Sequence, residues 1–417
     1  MFDYKSISDD CIKCGKCIPV CTIHQINPDE TTSPRGFIDL LGAYQDGNLP
    51  LDKNAKNIFE SCFLCTNCVD VCPNSLQTDM VIEQVRADIA KTHGLAWFKR
   101  LAFWVLRHRK LTDILAKIGY YFVPCGFKKE SGGMLSRFSL PFVHKNRMLP
   151  SLAKSSFLNS YPEEIKAGGK KRVAIFIGCL ANYSYTEIGD ALVSILKELD
   201  IDVLIPKKQL CCGAPAYFTG DFASVEYMTD RNLDYFESFI DDVDAVLVPE
   251  ATCSAMIKQD WAHFYHNKPE QKKRAEKIAK KVYLATEWLY KDGGLYELLK
   301  QKGLKQDSSV TYHDPCHARK VQGVFKEPRA LLGTGYDMVE MSDPNRCCGF
   351  GGVTIQTEKF HLAKLAGEPK AKMIDDTHAE CVAAECSACR IQLSEALNSY
   401  GSKVEFKHPL ELIAKML

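Results

Sequence analysis

Apolar and polar positions along residues 170–417 follow the pattern of an α/β protein. Short apolar runs of strand length alternate with stretches in which apolar residues recur at helical spacing, as at residues 191–199. Strands that alternate with helices predict βαβ units and a parallel sheet. The predicted strands cover residues 173–178, 203–205, 245–249, 309–313 and 380–385.

This pattern occurs twice, and in each copy cysteines follow directly after the predicted strands. The interval from the first to the third cysteine position is 74 residues in copy one and 70 in copy two. Because open α/β sheets bind ligands outside the carboxyl ends of their strands, we expect two halves that face each other across a pseudo-twofold axis. The cysteines are Cys179, Cys211, Cys212 and Cys253 in copy one, and Cys316, Cys347, Cys348, Cys386 and Cys389 in copy two.

Two further cysteine runs lie near the N-terminus, and both have the spacing C-x₂-C-x₂-C-x₃-C. In two-cluster ferredoxins the fourth cysteine of each run ligates the other cluster. The alternative is a zinc ribbon, which needs four cysteines per metal and could use two C-x₂-C pairs. Eight cysteines in two runs with ferredoxin spacing disfavour it. The spacing therefore predicts two 4Fe–4S clusters, the first on Cys11, Cys14, Cys17 and Cys72, and the second on Cys62, Cys65, Cys68 and Cys21.

One position departs from the ferredoxin pattern. Pro73 follows Cys72 as is usual, whereas Thr22 follows Cys21. We expect this difference to shift the potential of one cluster without abolishing it.

Between the cysteine runs and the repeats lies a basic, aromatic segment with a single cysteine, Cys125, which we expect to be buried. Residues 97–111 mix aromatic and basic side chains at helical spacing. Two interpretations stay open: a helix packed on the protein core with a solvated basic face, or a helix that docks on an anionic membrane surface or a partner.

Composition excludes some classes of function. The 53 basic residues balance the 52 acidic ones, so no nucleic-acid footprint is expected. No apolar stretch has the length of a spanning helix, and the first ten residues do not resemble a signal peptide, so we expect a cytoplasmic protein. In a reducing compartment, most of the 19 cysteines are expected to be metal ligands rather than disulfides.

The order lone cysteine, Cys-Cys-Gly, then C-x-x-C resembles the cysteine-rich CCG-domain family. That family includes iron–sulfur subunits of glycolate oxidase, of anaerobic glycerol-3-phosphate dehydrogenase, of heterodisulfide reductase and of some fumarate and succinate oxidoreductases. Copy two matches the pattern in full, whereas copy one has Met256 at its last position. Residues 33–36 (Ser-Pro-Arg-Gly), 252–258 and 313–317 look most like the glycolate oxidase iron–sulfur subunit.

The resemblance implies a metal site in copy two and leaves the content of copy one open. Copy two would hold a non-cubane 4Fe–4S cluster, and copy one would hold zinc, a cubane-like cluster or no metal. Buried thiols without metal are the alternative in both copies. His313 and His317 flank Cys316. They either pack and hydrogen-bond beside the metal site, or deliver a proton or an extra ligand.

The resemblance also implies a fold and four domains. We expect an α+β multidomain chain in which an α-helical two-cluster ferredoxin module precedes two duplicated α/β CCG domains with Rossmann-like parallel sheets. The predicted domains are residues 1–92 (ferredoxin-type), 93–168 (helical connector), 169–300 (copy one) and 301–417 (copy two).

No glycine-rich nucleotide motif opens a helix after a strand, and residues 349–352 lack that context. We therefore expect hydride chemistry on an FAD-containing partner subunit, from which this chain relays electrons to quinone. The expected complex is a glycolate or lactate dehydrogenase. The alternatives are a glycerol-3-phosphate dehydrogenase, a fumarate or succinate:quinone oxidoreductase, a heterodisulfide-reductase-like catalyst, a redox sensor, or a zinc-bearing interaction protein.

Overall fold

A computed structural model describes residues 2–130, 132–138 and 147–417. The N-terminal module is helical, with its two cysteine runs in the loops between helices. Its helices are α1 (Tyr4–Asp10), α2 (Thr22–Ile26), α3 (Pro34–Gln45), α4 (Lys53–Phe59), α5 (Asn67–Asp70) and α6 (Thr78–His93).

The start of α3 shows why the Ser-Pro-Arg-Gly motif is needed locally. The Ser33 hydroxyl accepts a hydrogen bond from the Gly36 N–H, and Pro34 occupies the first helical turn, where a missing N–H costs nothing. A Cβ on Gly36 would lie 1.9 Å from the Glu30 carbonyl oxygen, so only glycine fits. The motif therefore fixes how the chain enters α3.

The connector contains two long helices and a small sheet. Its elements are α7 (Trp97–Arg107), α8 (Arg109–Gly126), β1 (Phe127–Glu130), β2 (Gly133–Ser136), β3 (Met148–Leu149), α9 (Phe157–Ser160) and β4 (Glu164–Ile165). The segment expected to be one helix is interrupted at His108, whose backbone leaves the helical region. The expectation for Cys125 is wrong, because this cysteine is exposed near the end of α8.

Copy one is a five-stranded sheet in the order β4-β6-β5-β7-β8, parallel except for β4. All four residues of β7 are buried, as expected for a central strand of a parallel sheet covered on both faces. Its elements are β5 (Arg172–Ile175), α10 (Cys179–Tyr183), α11 (Thr186–Glu198), β6 (Asp202–Leu204), α12 (Ala214–Tyr217), α13 (Phe222–Glu237), β7 (Ala245–Val248), α14 (Ala251–Ala255), a π-helical turn (Met256–Asp260), α15 (Trp261–Phe264), α16 (Pro269–Ala279), β8 (Val282–Leu284), α17 (Ala285–Lys291) and α18 (Leu295–Lys302).

Copy two is a four-stranded, fully parallel sheet in the order β10-β9-β11-β12. Its elements are β9 (Ser309–Tyr312), α19 (Cys316–Gln322), α20 (Lys326–Leu332), β10 (Asp337–Met338), α21 (Gly352–Glu358), α22 (Phe360–Asp375), β11 (Cys381–Ala383), α23 (Ser387–Tyr400), β12 (Glu405–Lys407) and α24 (Pro409–Ile413). The predicted α+β architecture, with a helical module and two parallel-sheet repeats, is confirmed.

The two copies share one apolar core, since buried residues from both sheets and from α11, α17, α20 and α24 belong to a single cluster. Buried cationic side chains form hydrogen bonds between the ferredoxin-type module and both copies. The Arg86 guanidinium donates to carbonyl oxygens of its own module and to the carbonyl oxygen of Phe218 in copy one, at 2.8 Å. Lys359 of copy two donates to the Asn57 carbonyl at 2.6 Å and to Ser61 Oγ at 3.0 Å.

The domain boundaries predicted from the sequence stay predictions. The last strand of the connector, β4, pairs with β6 of copy one. Within the part of the chain that the structure describes, no helix is both long and apolar enough to cross a bilayer.

Candidate metal centres

The two N-terminal cysteine loops share two left-handed backbone positions. In both loops, the residue before the second cysteine and the residue after it have positive φ: Lys13 and Gly15 in the first loop, Leu64 and Thr66 in the second. A left-handed conformation at leucine or threonine is strained by about 1–2 kcal/mol, so the surrounding structure must impose it. The shared geometry turns the cysteine side chains of each loop toward a common centre.

Each predicted set of four cysteines lines one cavity. The cavity at the first loop is lined by Cys11, Cys14, Cys17 and Cys72, and also by Cys68. The cavity at the second loop is lined by Cys21, Cys62, Cys65 and Cys68. The fourth cysteine of each run therefore lies with the first three of the other run, as ferredoxin spacing predicts.

Thr22 has a direct contact with the second set. Its hydroxyl oxygen lies 3.4 Å from Cys65 Sγ. Hydrogen bonds to ligand sulfurs are among the factors that set the potentials of iron–sulfur clusters. The residue that departs from the ferredoxin pattern therefore lies where it could act on a cluster held by this set.

The four cysteines of copy one are in mutual contact. Cys211 lies within hydrogen-bonding reach of Cys179 and Cys212, and Cys212 Sγ is 3.3 Å from Cys253 Sγ. Met256 does not line this site; it is fully buried and packs against Gly213.

The five cysteines of copy two also form a chain of contacts. Cys347 touches Cys316 and Cys348, Cys348 Sγ is 3.5 Å from Cys389 Sγ, and Cys389 touches Cys386. The pair Cys348–Cys389 corresponds to Cys212–Cys253 in copy one. Cys253 is thus the spatial counterpart of Cys389. The cysteine that copy one lacks is therefore the counterpart of Cys386, and not a cysteine at position 256.

The two histidines that flank Cys316, His313 and His317, have different surroundings. His313 is fully buried, and its ligand atom lies within 4.8 Å of those of Cys348 and Cys389. Among the described residues, neither ring nitrogen of His313 has an oxygen or nitrogen atom as hydrogen-bond partner. The polar group in contact with the His313 ring is the Cys348 thiol. The His317 ring stacks on Phe218 at 5.5 Å, and burial lowers the pKa of His317 to about 4.

A single cavity of about 270 Å³ lies between the two copies. It is mainly apolar, and cysteines of both copies and of the second N-terminal loop reach it. The sulfur-bearing residues on its wall are Cys65, Cys179, Cys212, Cys253, Cys316, Cys347, Cys348, Cys386 and Cys389. The repeats therefore face each other with their cysteine edges, as the duplicated pattern predicts.

The second N-terminal loop makes direct contact with copy two. Cys65 lies within hydrogen-bonding reach of Cys347, and this contact, together with nearby Lys320, lowers the pKa of the Cys65 thiol to about 5. Lys320 donates to the carbonyl oxygens of Cys65 at 3.4 Å and Asn345 at 3.3 Å, and also to Asn67 Oδ1. Burial opposes its charge, but Cys316, Cys65 and Cys347 hold the pKa of Lys320 above its ordinary value.

Two buried carboxyl groups join the copies reciprocally. Glu250 of copy one accepts from the N–H (2.7 Å) and hydroxyl of Ser387, at the start of α23 in copy two. Glu385 of copy two accepts from the N–H (3.1 Å) and hydroxyl of Thr286, at the start of α17 in copy one. Burial raises the pKa of Glu250 to about 7 and that of Glu385 to about 8.

Lys320, Glu250 and Glu385 were not predicted as site residues from the sequence. Lys320 had a local signal, because it lies four residues after Cys316 and therefore on the same face of α19. The glutamates each follow a buried strand by two residues, but their partners belong to the other copy. Only the tertiary structure shows those contacts.

The donor chemistry fits iron–sulfur clusters. Thiolates are the ligands that hold such clusters, and here cysteines are grouped in fours and fives, all at buried or half-buried positions except the exposed Cys14.

Comparison with known proteins agrees with this chemistry. Residues 173–258 and 310–394 match the family described as CCG, cysteine-rich domain, and residues 7–76 match the 4Fe-4S dicluster domain. The chain belongs to the CCG-domain iron–sulfur proteins. The predicted family is confirmed, while the ligand set of each centre stays a prediction.

Three relatives align over nearly the whole chain. An uncharacterized iron–sulfur protein of Methanococcus maripaludis is 30% identical over 94% of this chain and 68% of its own length. A probable glycolate oxidase iron–sulfur subunit of Bacillus subtilis is 28% identical over 97% of this chain and 93% of its own. A fumarate reductase (CoM/CoB) subunit of Methanothermobacter marburgensis is 26% identical over 97% of this chain and 71% of its own. These similarities support an iron–sulfur electron-transfer subunit of an oxidoreductase.

Proposed function

We propose that this chain is the iron–sulfur subunit of a flavin-dependent 2-hydroxyacid dehydrogenase that oxidises glycolate or lactate. An FAD-containing partner subunit carries the substrate site, and quinone is the final acceptor. We place the complex in the cytoplasm, at the inner face of the cytoplasmic membrane. The similarity to the probable glycolate oxidase subunit along 97% of the chain, and to a lactate utilization protein along 58% of it, supports this choice.

The observation that carries an electron-transfer role is the contact between Cys65 and Cys347. It links the ligand set proposed for the second ferredoxin-type cluster to the set proposed for copy two, without intervening protein. When bound, iron–sulfur clusters supply one-electron chemistry at potentials set by charge, hydrogen bonds and solvent exposure.

The residues of this chain act on that junction in three ways. Phe63, Leu64 and Phe218 contribute apolar surface to the wall of the cavity at this junction. Lys320 places a positive charge between the two cysteine sets. The Thr22 hydroxyl, at the start of α2, contacts Cys65.

Anaerobic purification tests the proposed cofactors. We expect about eight iron atoms per chain for two cubane clusters and about twelve if copy two is filled, with zinc or no metal in copy one. Fewer than about four iron atoms would rule out the two-cluster assignment.

The partner and substrate need a second experiment. The tagged chain should co-purify with a flavoprotein, and glycolate or lactate should bleach the iron–sulfur absorption of that complex anaerobically. Bleaching by glycerol 3-phosphate or succinate instead would assign the complex to one of those substrates. A chain that purifies without a flavoprotein and is reduced by none of them would contradict the proposal.

The cavity between the copies favours a second candidate, a disulfide-reducing centre like that of heterodisulfide reductase. A volume of about 270 Å³ with an apolar wall and buried sulfurs can hold a small organic molecule. Turnover of a heterodisulfide by the isolated chain would favour this candidate. If the isolated chain does not turn over a heterodisulfide while the flavoprotein complex is active, the result favours a chain that only relays electrons.

A further inference from the structure

The outer face of α8 carries the apolar residues of an amphipathic helix, but they point away from the protein. Ile114, Ile118, Tyr121 and Phe122 are spaced three, four and seven residues apart, so they form one stripe along the helix. They are 49–69% exposed, and none of the 18 residues of α8 is buried. In a helix that packs on its own core, such a stripe would face inward.

The opposite face of α8 holds the helix to the protein through polar contacts and close packing. Arg109 donates to the Lys207 carbonyl at 2.8 Å, and Asp113 accepts from the Tyr183 hydroxyl at 2.8 Å. A Cβ on Gly119 would lie 2.8 Å from a methyl carbon of Leu152, so this face is already in contact with the body. The apolar stripe is therefore fixed in its outward orientation.

The neighbouring helix α7 repeats the arrangement. Trp97, Leu101 and Trp104 lie on one face and are 48–70% exposed, whereas Lys99 and Phe103 on the other face are buried. Lys99 is anchored there by an ion pair with Glu358 at 2.6 Å. Tryptophan and tyrosine, with an apolar body and a polar tip, are favoured where a protein meets the headgroup region of a bilayer.

The charge of this segment indicates which kind of surface covers the stripes. Residues 97–130 contain eight lysines and arginines and two acidic residues, a net charge of +6, so the rest of the chain carries −5. Lys110 and Lys117 are exposed and lie four residues before Ile114 and Tyr121, at the border of the α8 stripe. Apolar stripes bordered by lysines fit a surface with acyl chains beneath anionic headgroups.

We propose that α7 and α8 dock this protein on an anionic lipid bilayer, with both helices in the headgroup plane and their exposed stripes inserted. None of the proposed metal ligands lies on these helices, so docking does not depend on the clusters. It would hold the electron-transfer chain at the membrane, where a lipid-soluble acceptor is found.

Vesicle sedimentation of the anaerobically purified full chain tests the proposal. We expect the protein to sediment with vesicles of phosphatidylglycerol and phosphatidylcholine, to bind pure phosphatidylcholine more weakly, and to be released by salt. The double variant Ile118→Glu, Phe122→Glu should bind about 100-fold more weakly, because each change removes one apolar side chain from the bilayer. The double variant Lys110→Glu, Lys117→Glu should lose most of the preference for anionic vesicles.

Leu365→Glu is the matched control, since Leu365 is equally exposed, at 47%, but lies on α22. It should leave binding unchanged. Circular dichroism and iron content should be the same for all variants. Trp97 and Trp104 provide a second readout in the unmodified protein, because their emission should shift to shorter wavelength when anionic vesicles are added.

Three results would contradict the proposal. They are no sedimentation with anionic vesicles, equal binding by the Ile118→Glu, Phe122→Glu variant and the Leu365→Glu control, or a vesicle-independent dimer that this double variant converts to a monomer. The last result would assign the face to a second copy of the chain. If this double variant lost a co-purifying protein but still bound vesicles like the control, the face would belong to a protein partner and the lipid assignment would be overturned.

Discussion

Copy one has Phe176 three residues before its first cysteine, whereas copy two has His313 at the same place. Phe176 packs on Phe236 with ring centres 5.8 Å apart, while the imidazole of His313 lies beside two cysteines. One repeat thus has an apolar ring where the other has a nitrogen ligand or hydrogen-bond donor. The two sheets are alike, so the difference lies in the side chains that surround the sulfurs.

The charge beside the first cysteine of each copy also differs. In copy two, the contact with Cys347 and the Lys320 ammonium lower the pKa of Cys316. In copy one, the contact with Cys211, burial and the Glu250 carboxylate raise the pKa of Cys179. Metals bind thiolates, so a lower thiol pKa favours metal binding at neutral pH. A duplicated frame therefore does not by itself give two equal metal sites.

The largest expected effect comes from removing one central cysteine in each copy. Cys348→Ser should lower the iron content by about four atoms per chain, because Cys348 lies between Cys347 and Cys389 in the copy-two set. Cys212→Ser should leave iron unchanged and lower only zinc, if copy one holds it. Iron and zinc analysis of both variants measures this. Equal iron loss in the two variants would show that the copies are equivalent sites.

Exchanging the aromatic residues separates the two copies further. His313→Phe should weaken retention of the copy-two metal roughly 10–100-fold, the usual cost of losing a residue that supports a metal ligand. Competition with a chelator at fixed pH measures the retention. Phe176→His serves as the reciprocal variant and should leave copy-two retention unchanged. If the His313→Phe variant retains the copy-two metal as well as the unmodified protein does, His313 only packs beside the site.

The buried cation should have the next largest effect. Lys320→Met should make the potential of the neighbouring centres more negative by about 100 mV, the effect of one charge at about 6 Å in an effective dielectric of about 20. Lys320→Arg keeps the charge and is the control. Redox titration followed by electron paramagnetic resonance gives the value. A shift of similar size in both variants would indicate a packing effect instead of a charge effect.

The smallest expected effect concerns the reciprocal glutamate contacts. Ser387→Ala and Thr286→Val each remove one hydroxyl that donates to a buried carboxyl group, while the backbone N–H contact remains. Each should lower the free energy of unfolding by about 1–2 kcal/mol. Chemical denaturation of the metal-loaded chain measures the loss. If the two variants lose strongly unequal amounts of stability, the two glutamate contacts do not contribute equally to the interface between the copies.

Much of the candidate site could be predicted from the sequence because its signals are local. Three cysteines with two residues between neighbours can wrap one centre, and a cysteine directly after a parallel strand must lie at the carboxyl edge of the sheet. The contact between Thr22 and Cys65 and the environment of Lys320 could not be predicted. Both join elements that are far apart in the chain, and nothing in the local pattern marks the partner.

The sequence by itself determined the cysteine spacing, the repeat, the parallel sheets and the family of the chain, because each depends on periodicity or on short fixed intervals. The tertiary structure decided which cysteines meet. It brought the second N-terminal loop against copy two and paired Cys253 rather than residue 256 with Cys212. It also left the apolar stripes of α7 and α8 facing outward. These results depend on how separate elements pack, and packing is settled by the whole core rather than by any one segment.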